Sequence, residues 1–404
     1  MKVIVVGAGI GGSVLALALD RLGLDFVVLE QATEFGDVGA GIQLSPNGVR
    51  VLEELGLGDD FPTYVTEPDA HKFMSWDTGE ILLRTPLMPH VTETFGAGYY
   101  HAHRRDLIAS LTHRLDERRV QLGCSVTHVG SDADSAWAEC ADGTRVEGDV
   151  LIGADGIHSI VREQIFTPDS PRASGYVTWR GVIDAERVAH LDIPVSSYIV
   201  MGPRLSFVYY YVAGGKQINW LALGQTDDEK RESWSQTASK EEVLAAFEGW
   251  YDIPKALIEA TDTPFVTALY DRTPLDRWVD GRIAVMGDAA HAMLPYHAQG
   301  AVQSIEDAWV LARSLAGENV DVALQKFEAL RKERATRMVQ HSRNAEAWYH
   351  MDDPAEVAAR NSKFRNIGEQ AGDDFTRQQV WLYAYDAEKA VQGTDFEWQN
   401  LPDW

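Results

Sequence analysis

Residues 287–300, GDAAHAMLPYHAQG, set an aspartate and two histidines among glycine and alanine. With so little side-chain bulk, a bound group can press against the backbone itself. Asp288 offers a carboxylate there, and His297 an imidazole that exchanges a proton near neutral pH. Two further stretches share this make-up. Gly7-Ala8-Gly9-Ile10-Gly11-Gly12 has the GxGxxG spacing. In it Gly7 permits a tight turn, Gly9 lets the backbone approach a pyrophosphate, and Gly12 allows a helix to pack closely on its strand. Glu30 follows at the spacing of a carboxylate that binds ribose hydroxyls, which favours the unphosphorylated ribose of FAD or NAD over NADP. The third stretch, DVLIGADGIHSIVR (residues 149–162), carries Asp155 in a Gly-Ala-Asp-Gly turn. One such aspartate is ordinarily a helix cap; three turns of this kind in one chain point to a dinucleotide.

The elements that must hold these turns are legible from periodicity. Residues 2–6 form a short apolar strand, 10–22 a helix with small residues facing it, and 26–29 a second strand, a βαβ start. Proline in the first turn and glycine at the end mark a helix near 46–56, and 104–117 is helical too. Alternating runs from 119 to 151, joined by ADGT (141–144), predict a small antiparallel insertion. TWRGVI, SFVYYYV and QINWLAL predict strands within 174–225. A strand near 282–286 returns to the first core, and helices follow from 299, with 323–345 packed on the first domain. The fold class expected is α/β: a Rossmann-like dinucleotide-binding domain (1–70, 101–170 and 276–345), an inserted mixed β-sheet domain (71–100 and 171–275), and a helical C-terminal tail (346–404). The tail's Trp381, Tyr383, Tyr385, Phe396, Trp398 and Trp404 suggest a clamp on the protein's own surface or a dimer contact, so monomer and homodimer both stay open.

Bulk properties narrow the function. At 404 residues the chain is long for one core. It has no apolar run of membrane-spanning length, and its N-terminus reads as a buried strand rather than a signal peptide. A net charge of −25 argues against nucleic acid and anionic membrane as partners. The same charge means that a small anionic substrate would need locally placed Arg or Lys. Cys124 and Cys140 give no disulfide framework and no metal spacing, and a cytoplasmic location is expected.

GAGIGG…LE, GAGIQLSPN (39–47), HRRDL (103–107), GADGIHSIVR, TWRG (178–181), YDRTPLDRW (270–278), GDAAHAMLPYHAQGA and IEDAWVLARSL occur in one order along nearly the whole chain. Together they resemble the single-component FAD-dependent aromatic hydroxylases of the para-hydroxybenzoate hydroxylase fold, with the nearest likeness to salicylate, 3-hydroxybenzoate and 6-hydroxynicotinate hydroxylases. The resemblance implies tightly bound, non-covalent FAD, a transient NAD(P)H reductant that leaves no second fingerprint, O2, and a small phenolic or N-heteroaromatic substrate, carboxylated or not, hydroxylated through a flavin C4a-hydroperoxide. It implies that Gly7, Gly9 and Gly12 meet the pyrophosphate side, Glu30 the adenosine ribose and Arg104 the flavin side. Asp288 would meet the ribityl chain, Gly300 and Ala301 the isoalloxazine, and Asp155 both FAD and the nicotinamide.

Hydroxylation by this route excludes water and activates the ring, usually by deprotonating a phenol. With a phenol pKa near 10 and an imidazole pKa near 6.5, full transfer to His costs roughly 5 kcal/mol unless the pocket stabilises the phenolate. In the 3-hydroxybenzoate-type enzymes this chain resembles, the strand before the Gly-Gly turn carries His, then Tyr four residues later, then Pro. Here Ser206 stands at the His, Tyr210 matches the Tyr and Tyr211 replaces the Pro, while His297 occupies a loop position that is commonly apolar. The expectation is that the base has moved to His297, with Tyr210 beside it; the alternative is a core-satisfied or solvent-facing His297. Candidate substrate contacts are Gln43, Arg180, Tyr209, Tyr211, Pro295 and Tyr296. Strand alternation puts Tyr209 and Tyr211 on one face and Tyr210 on the other. Arg180 meets either a substrate carboxylate or a structural partner. Gln299 and His101 are weaker candidates, His291 is expected to pack structurally, and His341 to be solvated. A competing class is an FAD-dependent oxidase or other flavin oxidoreductase without oxygen insertion. A flavin halogenase is disfavoured because Trp250-Tyr-Asp-Ile253-Pro254 is only a fragment of the motif that family carries.

Overall fold

The computed structural model describes residues 1–35, 40–225, 237–371 and 374–394. Val3, Ile4 and Val5 are wholly buried, as a parallel strand covered on both faces must be. That strand, Lys2–Val6, lies inside a six-stranded sheet. Its order is Val279–Asp280, Ile283–Val285, Val150–Gly153, Lys2–Val6, Asp25–Glu30, Val120–Leu122. Every neighbouring pair is parallel except the first. All three turns picked out in the sequence therefore leave the carboxyl ends of three adjacent strands, Lys2–Val6, Val150–Gly153 and Ile283–Val285, on one rim of the sheet. The helices Ile10–Arg21 and Gly300–Gly317 pack in the same core, and Val320–Tyr349, 30 residues long, runs beside them.

The expected antiparallel insertion is a three-stranded sheet, Val126–Ser131, Ala136–Cys140 and Arg145–Gly148. Cys124 and Cys140 correct the sequence reading. They face each other with Cα atoms 5.5 Å apart and are joined as a disulfide, a pairing that a count of two cysteines did not indicate.

A seven-stranded mixed sheet forms the second layer, in the order Phe265–Asp271, Arg172–Asp184, Gln217–Gln225, Leu205–Val212, Ser197–Gly202, Ala70–Ser75, Ile81–Pro86. One face of this sheet carries its own apolar cluster, including Phe207, Trp220 and Phe247. The other face looks toward the first domain. A two-stranded ribbon, Gly41–Leu44 with Tyr100–His103, links the two layers, and Gly41 N donates to Asn219 Oδ1 at 2.7 Å.

The described part of the tail settles back on its own chain. Trp381 and Tyr385 are buried, and their rings lie 4.4 and 4.0 Å from the Arg334 guanidinium carbon. Arg334 is fully buried, donates to the Trp381 and Leu382 carbonyls, and pairs with Glu306. For these residues the clamp is the observed arrangement; Phe396, Trp398 and Trp404 lie outside the described residues. Among those residues no helix is long and apolar enough to cross a membrane.

Candidate active site

The rim of the parallel sheet, the ribbon and the inner face of the mixed sheet enclose a cavity of about 1150 Å3. One end is built from backbone. Gly9, Ile10 and Gly11 line it at the start of one helix, Gly300 and Ala301 at the start of another, and Ala154, Gly156, Gly287 and Asp288 complete it. Helix starts present unpaired N–H groups and a favourable dipole to an anion. The glycines divide by role. A Cβ on Gly12 would lie 2.0 Å from the Gly7 carbonyl oxygen, and one on Gly7 would lie 2.5 Å from the Ala154 oxygen, so both are required by packing. A Cβ on Gly9 would meet nothing within 4 Å; its bareness leaves room for something in the cavity. Glu30 accepts from Ala8 N at 2.7 Å and Ala32 N at 2.8 Å, which fixes its carboxylate beside the turn with lone pairs to spare for ribose hydroxyls. Arg104 and Asp288 open onto the cavity. Burial lowers the Arg104 pKa and the charge of Asp288 opposes that shift. This backbone cradle, with its carboxylate and flanking Arg–Asp pair, suits FAD.

Asp155 lies in the turn between Ala154 and Gly156. Its carboxylate accepts from Ser159 Oγ at 2.6 Å and Val161 N at 3.2 Å, while Ala154 and Gly156, not Asp155, form the wall. Burial raises its pKa and those hydrogen bonds oppose the shift. The helix N-cap is Ser159, whose Oγ accepts from Arg162 N at 2.9 Å, and Asp155 buttresses that cap from the turn beside the cradle.

The other end of the cavity is mostly apolar, walled by side chains such as Leu83, Ile199, Val208, Leu221 and Leu269. A compact polar patch interrupts it. Tyr99 Oη donates to Gln43 Oε1 at 2.5 Å, and Gln43 Nε2 donates to Ser197 Oγ at 3.3 Å. Tyr210 lies on this wall; burial raises its pKa, while the Arg180 charge and a hydrogen bond to Gln43 pull the other way. Burial lowers the Arg180 guanidinium to about 10, with Arg104 adding to the shift and Tyr210 opposing it. His101 stands behind Tyr210, ring centroids 4.4 Å apart, off the cavity wall.

Alternation along Leu205–Val212 decides the tyrosines. Tyr209 stacks on Tyr198 at 4.4 Å and bonds Tyr251 Oη at 3.1 Å, and Tyr211 Oη donates to the Ile193 carbonyl. Both side chains lie on the face away from the cavity, which corrects their candidacy as substrate contacts. Ser206 shares the face of Tyr210 but bonds His350 Nε2 at 2.9 Å, in a buried pair reached from the end of the long helix.

Pro295, Tyr296 and His297 all reach the cavity. The expectation that His297 is the base meets a physical obstacle, because both ring nitrogens are engaged. Nε2 lies 3.3 Å from the His341 carbonyl oxygen, which can only accept, so Nε2 carries the proton. Nδ1 then accepts from Gln378 Nε2 at 2.9 Å, leaving no free lone pair. Burial lowers its pKa to about 4, against the pull of the His341 carbonyl. The satisfied alternative fits, and His297 ties the loop to the tail. His341 likewise departs from expectation: it is buried beside Trp381. His291 is structural as expected, bonded to Asp307 at 2.6 Å, with Asp307 also accepting from Gly287 N and Arg331 Nε. Gln299 is buried and donates to Ser45 Oγ at 3.0 Å.

Sequence reasoning missed three contributors: Tyr99, His71 and the tail. Phe364, Ile367, Phe375, Gln378 and Tyr383 line the same cavity from the tail. No local signal marks a distant aromatic tail as pocket wall. The His in AHKFMS, on a short strand between Ala70 and Lys72, was the available hint for His71.

Comparison with known proteins agrees with this geometry. The family model for an FAD binding domain matches residues 1–342. The chain is 36% identical over 388 residues to 3-amino-4-hydroxybenzoate 2-monooxygenase PtnB3 of Streptomyces platensis, covering 96% of each chain. It is 34% identical to 6-hydroxynicotinate 3-monooxygenase of Pseudomonas fluorescens, covering 88% of this chain and 93% of that one. Among solved structures it is similar to Klebsiella pneumoniae HpxO complexed with FAD and uric acid, with TM-score 0.81, 27% identity, and coverage of 98% and 95%. The chain belongs to the FAD-binding-domain family of flavoprotein aromatic monooxygenases.

Proposed function

We propose that this flavoprotein monooxygenase uses NAD(P)H and O2 to hydroxylate a small phenolic or N-heteroaromatic acid at the polar patch facing Arg180 and Tyr210. One observation carries the reading: a few convergent polar groups interrupt the apolar wall of the same cavity that holds the backbone cradle, so ring and cofactor share one enclosure. Gly9, Gly300, Ala301, Glu30, Arg104 and Asp288 hold FAD, which when bound and reduced supplies the oxygen-activating chemistry. The leucine, isoleucine and valine walls take the ring and exclude water. Arg180 is a cation in a chain of net charge −25 and supplies the local charge that an anionic substrate needs. Gln43, Tyr99 and Tyr210 form a connected donor–acceptor set that fixes the ring's orientation.

Screening benzoates and hydroxypyridines for stimulated NAD(P)H oxidation, with product mass recorded, tests the proposal. A product heavier by one oxygen is expected. Stimulated oxidation with hydrogen peroxide as the sole product, across every well-bound ligand, would instead indicate an oxidase.

A further inference from the structure

We infer that His71 is a substrate-binding residue whose Nε2–H donates to the hydroxyl oxygen of the aromatic ring; the inference rests on the function proposed above. His71 lies on the strand Ala70–Ser75, in register with Thr85 on one side and Ser197 on the other. It lines the cavity. Its ring stands edge-on to Tyr99, centroids 5.0 Å apart, and Tyr99 and Ser197 both bond Gln43. It is thus part of the polar patch, yet it takes no part in the patch's hydrogen bonds.

The state of its two nitrogens follows from burial. Nδ1 is sealed from solvent and has no partner among the described residues. A sealed, unpaired N–H is rarer than a sealed acceptor lone pair, so the ring's hydrogen belongs on Nε2. The ring is neutral at physiological pH, since burial lowers its pKa to about 4. A neutral donor is what a phenol oxygen requires, because it stabilises the developing phenolate without a second buried cation beside Arg180. Of the other histidines at the cavity, His297 has both nitrogens bonded, His341 is buried beside Trp381 and His158 sits at the cradle end next to Gly156, while His101 stands behind Tyr210, off the wall. Arg180 then takes the carboxylate, and the ring lies between the two.

The test titrates 2-, 3- and 4-hydroxybenzoate, each against benzoate, into FAD-loaded enzyme, following flavin absorbance. For His71→Phe, affinity for the best hydroxybenzoate should fall about tenfold while benzoate stays within about twofold. His71→Gln places an amide nitrogen near the position of Nε2 and should recover most of the discrimination. In His71→Phe the bound ligand's phenol pKa, read from its ultraviolet spectrum, should also rise, a change that a packing role would not produce. Equal loss for both ligands, no loss for either, or a Gln variant as poor as Phe would overturn the inference while leaving the proposed function standing. Wild-type protein that binds neither these four acids nor any hydroxypyridine of the activity screen would sink the proposed function itself and this inference with it.

Discussion

Replacing His297 with Gln separates a base from a strut. The glutamine side chain can accept from Gln378 and donate to the His341 carbonyl, so it can keep both links, 2.9 and 3.3 Å in the native chain. If His297 removed the substrate proton, its loss would cost about 100-fold or more in kcat and erase one limb of the pH profile. The geometry gives the opposite expectation: kcat/KM within about threefold of wild type, well under the ~1.4 kcal/mol that a tenfold change represents, and an unchanged profile. The stability signature is equally specific. The ring's pKa is lowered from its ordinary 6.5 to about 4 on folding. Between those values the unfolded chain binds a proton that the folded chain refuses, so stability is complete above pH 6.5, falls as pH drops toward 4, and levels below that. The window is worth roughly 3 kcal/mol for this one group. His297→Gln should therefore flatten the acid loss of urea stability by about one proton's worth of slope, and His297→Ala should flatten it similarly while costing about 1–2 kcal/mol at pH 7.5 for the two lost bonds. A hundredfold fall in hydroxylation by the Gln variant, with FAD retained, would refute this reasoning and restore His297 as the base.

Gly9→Ala should fold normally by circular dichroism yet retain FAD poorly in gel filtration, because its Cβ enters open cavity. Gly12→Ala should fail to give stable protein, because its Cβ falls 2.0 Å from the Gly7 oxygen. Tyr210→Phe should lower kcat/KM by about 5- to 30-fold while Tyr209→Phe leaves it within about twofold in steady-state assays, since a bonded phenol in the site is worth ~1–2 kcal/mol and Tyr209 faces the opposite layer. Asp307→Asn should cost about 3–5 kcal/mol in urea unfolding, because it strands part of a buried ion-pair network around Arg331 and His291.

The cradle was legible in sequence because its logic is local. Gly7, Gly9 and Gly12 act within one turn, and a glycine next to an apolar strand leaves a pattern that spacing reveals. The strand alternation that puts Tyr210 on one face and Tyr209 and Tyr211 on the other was local too, and it holds. What spacing could not show is which partner comes from far along the chain. His297 is satisfied by Gln378, 81 positions away, and Ser206 by His350, 144 positions away. Both contacts depend on the path of the long helix and the tail, which no turn signal encodes. Asp155 was legible only in part: spacing marks its turn, but not that Ser159 and Val161 donate to its carboxylate.

The most direct test of the central claim uses purified FAD-loaded enzyme, NAD(P)H, the aromatic acid that most stimulates its oxidation, and 18O2. The account requires a hydroxylated product carrying one heavy oxygen atom, formed in step with NAD(P)H consumed. Product without the label, or NAD(P)H consumed with all the oxygen recovered as hydrogen peroxide, would contradict it.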